Sequence, residues 1–289
     1  IPKNLTHYEW LGVSQEQDAD DCYSIMKSKQ IDLLVVDNYA IDHEWEKKLR
    51  PLCDKLMVID DLADRKHDCD ILLDQTFGRI KYDYINLVPK NCTLLLGSKF
   101  ALLRSEFNKW RPYSLKRRVK PQFKTLLINM GGIDIKNITE TILDQLEFCK
   151  LPYDIRIIIL IGKNSPHIKR IKLKASLLNY KTEIKIDVDN MAEIMANSDL
   201  AIGAAGSTTW ERCCLGLPSI QIIIAENQVT IAKFLAKNDA IKLLENTRKL
   251  SKLINNQKSW ILNVSKNSRK ITDGLGTHRV YKAIMKNSL

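Results

Sequence analysis

The sequence predicts an α/β protein made of two Rossmann-like, doubly wound domains. Two observations lead to this fold class. The chain has 289 residues, which is enough for about two domains of ordinary size. Short apolar segments also alternate with segments of helical period along its whole length. Because such alternation builds parallel sheets that helices cover on both faces, the pattern favours doubly wound layers.

The first half of the chain contains two helix candidates and four short strand candidates. The helices are predicted at 18–30 and 42–53, and the strands at 31–37, 55–61, 69–75 and 92–97. A second series begins at residue 123. Its strands are predicted at 123–132, 154–162, 183–188, 199–205 and 219–225, and its helices at 137–149, 166–178, 190–198, 208–215, 227–237 and 277–287.

A basic segment separates the two series. Residues 109–124 contain seven lysines and arginines and no acid, within a chain whose net charge is +11. No nucleic-acid-binding motif accompanies this segment, so we interpret it as a solvated linker and expect no nucleic-acid partner. The predicted domains are therefore 1–110 and 123–289, joined by a basic linker at 111–122.

Composition excludes several classes of protein. The hydrophobic fraction of 45% and the charged fraction of 27% are ordinary for a globular chain and exclude a disordered one. The longest apolar runs are far shorter than the roughly 18 residues that cross a bilayer, so we expect no membrane insertion. Seven cysteines without a CxxC pair, and no secretory leader, lead us to expect a cytoplasmic protein.

Ligands of doubly wound sheets bind beyond the carboxyl ends of the strands, which draws attention to AAGSTTWE at 204–211. Gly206 permits close approach of the backbone, and Thr208 and Glu211 have the spacing of a capping box. A turn that caps itself and a turn that binds phosphate both fit this pattern. Glu211 fits two roles equally, as a cap of its own helix or as an acceptor for a ribose diol.

A second turn, NMGGIDIKN at 129–137, begins within the strand and turn predicted at 123–132. Gly131 and Gly132 allow a ligand to approach the backbone, and Asn137 is predicted to cap the next helix. An ordinary turn fits as well. The segment has neither the GxGxxG of dinucleotide sites nor the GxxxxGK[ST] of a P-loop, which removes the main support for a dehydrogenase or a P-loop ATPase.

No metal site or cofactor is predicted. The five histidines are scattered, without HExxH or an i,i+4 pair, and we interpret them as surface residues. Three tripeptides, DAD at 18–20, DCD at 68–70 and DVD at 187–189, match the DxD of some metal-dependent glycosyltransferases. None has a further cluster of ligands nearby, so we predict that none binds a metal.

Taken in order, several motifs resemble one family, the UDP-sugar hydrolases of bacterial pseudaminic acid biosynthesis. The motifs are VVDNYAID, IDDLADRKHDCDILLDQ, LVPKNCTLLLGSKFALLRSEF, NMGGIDIKN, GAAGSTTWERCCLGLPSI, ENQ at 226–228 and DGLGTHRV. The resemblance implies two domains of the GT-B glycosyltransferase type. It also implies metal-independent hydrolysis of a UDP-sugar at the anomeric carbon with inversion, by a cytoplasmic monomer that supplies sugar for flagellin or surface glycans.

The resemblance also implies roles for particular residues. Gly206, Ser207 and Thr208 would meet the diphosphate, and Glu211 the ribose hydroxyls. Asn227 and Gln228 would lie beside the sugar, with Asn227 in a catalytic role. Tyr39 would lie near the attacking water, and Gly131 and Gly132 would leave room for the substrate.

In one respect the sequence departs from the family. The family has an N-terminal G-x-G-H-x-x-R loop whose histidine is the general base, and this motif is absent from the sequence. We therefore expect the first domain to be incomplete at its N-terminus and a Gly-x-Gly-His to be encoded upstream of Ile1. Two alternatives stay open: a GT-B glycosyltransferase that passes the sugar to an acceptor, and an inactive protein that binds a UDP-sugar.

Overall fold

The computed structural model describes residues 7–286, which fall into two compact α/β units. The first unit comprises Ile1–Phe100 together with His278–Leu289, and the second comprises Ala101–Thr277. Each unit is built on one parallel sheet. The predicted α/β class with two doubly wound domains is confirmed.

The strands are short, as the apolar runs predicted. They are β1 Leu33–Val36, β2 Lys55–Ile59, β3 Ile71–Asp74, β4 Thr93–Leu96, β5 Thr125–Asn129, β6 Arg156–Ile161, β7 Lys181–Ile186, β8 Leu200–Ala204, β9 Ser219–Ile222 and β10 Lys242–Leu243. The helices are α1 Gln15–Met26, α2 His43–Leu49, α3 Ser105–Arg117, α4 Ile138–Leu146, α5 Ile168–Ser176, α6 Met191–Asn197, α7 Thr208–Cys214, α8 Val229–Lys237, α9 Leu250–Asn255, α10 Ile261–Ser268 and α11 Gly276–Lys286. Short 3-10 helices span Tyr8–Leu11, Arg50–Leu52, Lys81–Tyr84, Ser98–Phe100, Glu226–Gln228, Thr247–Lys249 and Gln257–Ser259.

The sheet of the first unit has the strand order β1-β2-β3-β4, and every neighbouring pair is parallel. β3 is buried at all four positions because it lies inside the sheet with helices on both faces. On one face, Met57, Ile71 and Leu73 pack against Val280 of α11. The C-terminal helix thus belongs to the core of the first unit.

The sheet of the second unit has the order β10-β9-β8-β5-β6-β7. Chain order runs outward from β5 through β6 to β7 on one side, and from β8 through β9 to β10 on the other. The order therefore reverses between β5 and β8. At this reversal the connecting helices leave toward opposite faces and open a crevice at the carboxyl ends of the strands.

The segment predicted as a solvated linker is a helix that packs on the second unit. α3 covers residues 109–117 of this segment, and two of its arginines, Arg111 and Arg117, together with its C-cap Arg118, bind backbone carbonyls at the ends of other helices. Arg111 donates to the carbonyl oxygen of Cys214, and buried Arg118 donates to those of Met195 and Ser198, 3.0 and 2.8 Å away. Guanidinium groups satisfy helix C-terminal carbonyls well. The solvated-linker interpretation was wrong because these cations have backbone partners within the fold.

The domain bounds also differ from those predicted. The division falls between Phe100 and Ala101, and residues from His278 onward return to the first unit. The sequence placed the boundary in the basic segment because composition changes there. In the structure α3, which contains part of that segment, belongs to the second unit through its buried contacts. In residues 7–286, no helix has both the length and the apolar character needed to cross a membrane.

Candidate functional site: a cleft at the strand-order reversal of the second sheet

A cleft opens at the carboxyl ends of β5, β6 and β7 in the second sheet, and it reaches the strand-order reversal at Thr208, in the segment that follows β8. Asn129 of β5 is in register with Gly203 of β8, so the turns that follow these two strands are neighbours. The cleft encloses about 190 Å³. It is lined by Asn129, Gly131, Gly132, Leu160, Ile161, Gly162, Lys185, Asp187, Val188, Met191 and Thr208. The structure thus brings together Gly131, Gly132 and Thr208, which the sequence placed in two separate motifs.

Gly131 gives the first turn its shape. Its φ is +92°, in the region that side chains with a Cβ rarely adopt. This conformation turns the chain sharply after β5, so that Gly132 also lines the cleft. No atom lies within 4 Å of where a Cβ would stand at either glycine. Both positions therefore face open space that a ligand can fill.

The N-terminus of α4 is closed by its own loop. The carboxylate of Asp134 accepts hydrogen bonds from the backbone N–H groups of Ile138 and Thr139, each 2.9 Å long. Asn137 stands at the N-cap position, but its side chain makes no capping bond and instead donates to Glu140. Asn137 is thus the N-cap residue, as predicted, but the capping bonds are made by Asp134. A carboxylate already satisfies the N–H groups that an anion would otherwise bind.

The turn before α7 is open by comparison. Ser207 is the N-cap and makes no side-chain capping bond. The predicted capping box of Thr208 and Glu211 was wrong, because the helix begins at Thr208 itself. Within residues 7–286, no acceptor binds the backbone N–H groups of Gly206, Ser207 or Thr208. The turn therefore presents unpaired donors next to the cleft.

Glu211 lies in α7 and does not cap it. Its Oε2 is buried and has no hydrogen-bond partner in the described part of the chain. Burial raises the pKa of this carboxyl, and the nearby Arg104 opposes that rise. Arg104 is itself paired with Glu106 at 2.7 Å and donates to the carbonyl oxygen of Asp189 at 3.4 Å. An unpartnered buried acceptor favours the second role considered for Glu211, which is to accept hydrogen bonds from a diol.

Gln228 holds the loop after β9 beside the open turn. Its Oε1 accepts the backbone N–H of Ile224 at 3.0 Å, and its Nε2 lies 3.5 Å from where a Cβ would stand at Gly206. Asn227, one residue earlier in the same 3-10 helix, is exposed. The structure thus brings Gln228 next to Gly206 and leaves the side chain of Asn227 in solvent.

Arg212 is a residue of this region that the sequence did not single out. It is buried to 1% exposure, in α7 directly behind the open turn. It donates to the carbonyl oxygen of Ala204 at 2.5 Å and to Oγ1 of Thr209 at 3.2 Å. Its Nη1 occupies the space where a Cβ would stand at Gly203, so this position of β8 requires glycine. That glycine was the only local signal of a large side chain packed over the strand.

In the first unit, Tyr39 follows β1 and donates from its hydroxyl to Oδ1 of Asp61 at 2.6 Å. The rings of His7 and Trp10 lie 5.5 and 5.9 Å from its ring. Burial raises the pKa of Asp61, with the hydrogen bond from Tyr39 opposing that rise. Tyr39 is therefore hydrogen-bonded to a carboxyl group, that of Asp61, whose pKa is raised by burial.

A buried polar network lies behind Asp61. Asp60 accepts from Arg65 at 2.8 Å and from the hydroxyl of Tyr84 at 2.9 Å, and Tyr84 also donates to Asp74 at 2.8 Å. Arg65 and these interactions keep the pKa of Asp60 low despite its burial. The carboxyl ends of β2 and β3 are therefore held by ion pairs and hydrogen bonds within the unit.

His67 corrects the interpretation of the histidines as surface residues. It is 4% exposed, and its Nδ1 lies 2.7 Å from Oε1 of buried Glu46. The sequence could not reveal this pair, because the two residues are 21 positions apart and meet only in the fold. In the described residues, no group of three or more histidine, cysteine, aspartate or glutamate side chains is arranged to hold a metal ion.

Comparison with known proteins places the cleft within a defined family. Residues 125–284 match the model of the glycosyltransferase family 28 C-terminal domain. A protein of Campylobacter jejuni named UDP-2,4-diacetamido-2,4,6-trideoxy-beta-L-altropyranose hydrolase is 31% identical over 215 residues, which cover 74% of this chain and 74% of that protein. The chain belongs to this hydrolase family. The resemblance that the sequence motifs indicated is confirmed.

Other relatives of this hydrolase-family chain are more distant. A protein without an assigned function from Methanocaldococcus jannaschii is 28% identical over 73% of this chain, and the match covers 44% of that protein's length. Among solved structures, MurG of Acinetobacter baumannii has a TM-score of 0.67 at 17% identity, covering 93% of this chain and 78% of its own. A UDP-GlcNAc 2-epimerase from Neisseria meningitidis, bound to UDP-GlcNAc, has a TM-score of 0.59 at 14% identity, covering 99% and 84%. At these identities the likeness shows the fold alone, and it confirms the GT-B class.

Proposed function

We propose that the protein hydrolyses a UDP-linked 2,4-diacetamido-2,4,6-trideoxy sugar at its anomeric carbon, with inversion and without a metal ion. The products are UDP and the free sugar, which enters pseudaminic acid biosynthesis. The proposal rests on the relative of known name and on one structural observation. That observation is the cleft at the strand-order reversal, which lies inside the family 28 domain and is bordered by a turn with unpaired N–H donors.

The second unit supplies the groups that a UDP moiety needs. Unpaired backbone donors at Gly206, Ser207 and Thr208 suit the diphosphate oxygens. The unpartnered Oε2 of Glu211 suits a ribose hydroxyl. Gly131 and Gly132 leave space at the cleft, and Gln228 next to Gly206 suits the sugar side of the diphosphate. Asn227 keeps its proposed catalytic role beside Gln228.

UDP is already a good leaving group, so the protein mainly has to stabilise the charge of the departing diphosphate and activate a water. The turn before α7 serves the first task. For the second we propose that Tyr39, hydrogen-bonded to Asp61, orients the attacking water. The chain offers no histidine in the family's G-x-G-H-x-x-R context as a base. We further propose that the protein is cytoplasmic, in keeping with its seven cysteines, all of which are described and none of which forms a disulfide. We also propose that it is a monomer.

A second candidate is a GT-B glycosyltransferase that passes the sugar to an acceptor, because the matching family model is a glycosyltransferase domain. Release of UDP from the altrose-configured UDP-sugar separates the two candidates. With protein expressed from its complete reading frame, we expect UDP to be released at the same rate with and without added acceptors, and in the presence of EDTA. Release that requires an acceptor would support the transferase. Binding of UDP without any turnover would support an inactive UDP-sugar-binding protein.

A further inference from the structure

Arg212 is buried, and in the described residues no carboxylate lies within ion-pair distance of it. Among the described residues it forms no ion pair, and its Nε has no hydrogen-bond partner. Burial lowers the pKa of its guanidinium to about 10, with smaller opposing effects from Cys213 and Glu211. The group is therefore still protonated at neutral pH. A buried cation without a directly paired acid is costly, and proteins usually compensate it with an acid or an anion.

Other buried arginines of the chain have what Arg212 lacks. Arg65 is paired with the carboxylate of Asp60 at 2.8 Å. Arg118 donates through Nε, Nη1 and Nη2 to the backbone carbonyls of Leu215, Ser198 and Met195. Arg212 donates only through Nη2 in the hydrogen bonds that the structure shows. Within the described residues, Arg212 thus differs from Arg118 in having an Nε without a hydrogen-bond partner.

The position of Arg212 connects its charge to the proposed ligand. Its Nη2 binds Ala204, the last residue of β8, and Thr209, in the first turn of α7. Gly206, Ser207 and Thr208, whose N–H groups are unpaired, lie between these two attachment points. Thr209 in turn donates to Oε1 of buried Gln221 in β9 at 3.0 Å. This bond holds in place the Thr209 hydroxyl that accepts from the guanidinium.

We infer that Arg212 is a positioning residue of the UDP site: it ties the end of β8 to the start of α7 and places a permanent positive charge behind the turn that receives the diphosphate. The inference rests on the proposed function. The guanidinium acts through the turn without contacting the nucleotide. Because it is buried, its attraction for the diphosphate is weakly screened, and it needs no reorganisation when the charge on the departing UDP increases.

Calorimetric titration with UDP and with uridine tests this role, because uridine lacks the diphosphate. Arg212→Gln removes the charge and keeps a donor, and we expect it to weaken UDP binding by about tenfold or more and uridine binding by less than about threefold. Arg212→Lys keeps the charge, so its ratio of UDP to uridine affinity should stay within about threefold of the wild type. Arg118→Gln is the matched control, since it removes another buried guanidinium elsewhere in the unit, and it should leave the ratio unchanged.

Two results for Arg212→Gln would overturn the inference. Unchanged UDP affinity would show that the charge is not felt by the ligand, and equal losses for UDP and uridine would show that Arg212 only supports packing. If this variant does not fold, Arg212→Lys decides, because a tenfold fall in its affinity ratio would exclude charge as the cause. A wild-type protein that binds uridine and UDP equally would also contradict the inference. A wild-type protein that binds neither ligand would instead overturn the proposed function, and the inference with it.

Discussion

Glu211 lowers the stability of the protein when no ligand is bound. Its carboxylate is buried with one oxygen unpartnered, and burial raises its pKa. The folded chain therefore binds a proton at Glu211 more readily than the unfolded chain does. It follows that ionised Glu211 lowers the free energy of unfolding at neutral pH, and that this loss disappears as pH falls through the raised pKa. A ligand diol that donates to the carboxylate would offset the cost, which is why such a residue points to a binding site.

Replacing Glu211 by glutamine should separate stability from binding. We expect Glu211→Gln to raise Tm at pH 7, with a gain that shrinks as the pH is lowered. It should also weaken UDP binding by about tenfold, since a charged acceptor for the ribose is lost. Thermal unfolding at several pH values and calorimetry measure the two effects. The analogue 2′,3′-dideoxy-UDP should bind wild type and variant equally.

Glu106→Gln is the control for that experiment. Glu106 lies near Glu211 and forms an ion pair with Arg104 at 2.7 Å, so Glu106→Gln loses that pair and should raise Tm less than Glu211→Gln does. If Glu211→Gln binds UDP as well as the wild type does, the ribose assignment is wrong.

The two turns that precede α4 and α7 differ in whether a side chain caps the helix that follows. The β5–α4 turn carries its own carboxylate, Asp134, on the N-terminus of α4, whereas no side chain caps the turn before α7. Both turns lie at the same edge of the sheet, at the strand-order reversal. Only the second is therefore available to an anion through its backbone N–H groups.

The caps of α4 can be tested by two matched glycine substitutions. Asp134 and Asn137 both have positive φ, 48° and 52°, so glycine suits the backbone at either position. Asp134→Gly removes both capping acceptors and should lower the free energy of unfolding by about 1 kcal/mol. Asn137→Gly removes no capping bond and should leave it nearly unchanged. Urea denaturation measures both, and equal effects would contradict the assignment of Asp134 as the cap.

The sequence predicted most strands and helices of the two units to within a few residues, because their apolar runs and periodicity are local. It missed α3, because this segment has few apolar residues and contains a proline, Pro112, inside the helix. What holds α3 is a set of arginine contacts to carbonyls of distant helices, which no local pattern encodes. The helices α9 and α10 and the two-residue strand β10 were also missed, in a segment without clear alternation.

For the whole molecule, strand order decides which motifs form a site. The sequence could identify Gly131, Gly132 and Thr208 because each follows a strand, and parallel strands end at one edge. It could not show that β5 and β8 are neighbours, nor that Arg212 packs over Gly203 between them. The role of Tyr39 depends on the first unit, where its bond to Asp61 is a long-range contact. Site residues that depend on tertiary contacts, such as Arg212, Asp61 and His67, need the fold to be seen.

In the reaction that we propose, water attacks the anomeric carbon of a UDP-sugar. Hydrolysis in water enriched in oxygen-18, followed by mass spectrometry of both products, tests it most directly. We expect the label in the free diacetamido sugar and none in UDP, because the bond that breaks joins the anomeric carbon to the diphosphate oxygen. Label in a phosphate of the nucleotide product would contradict it, whether the second product is the free sugar or a sugar phosphate.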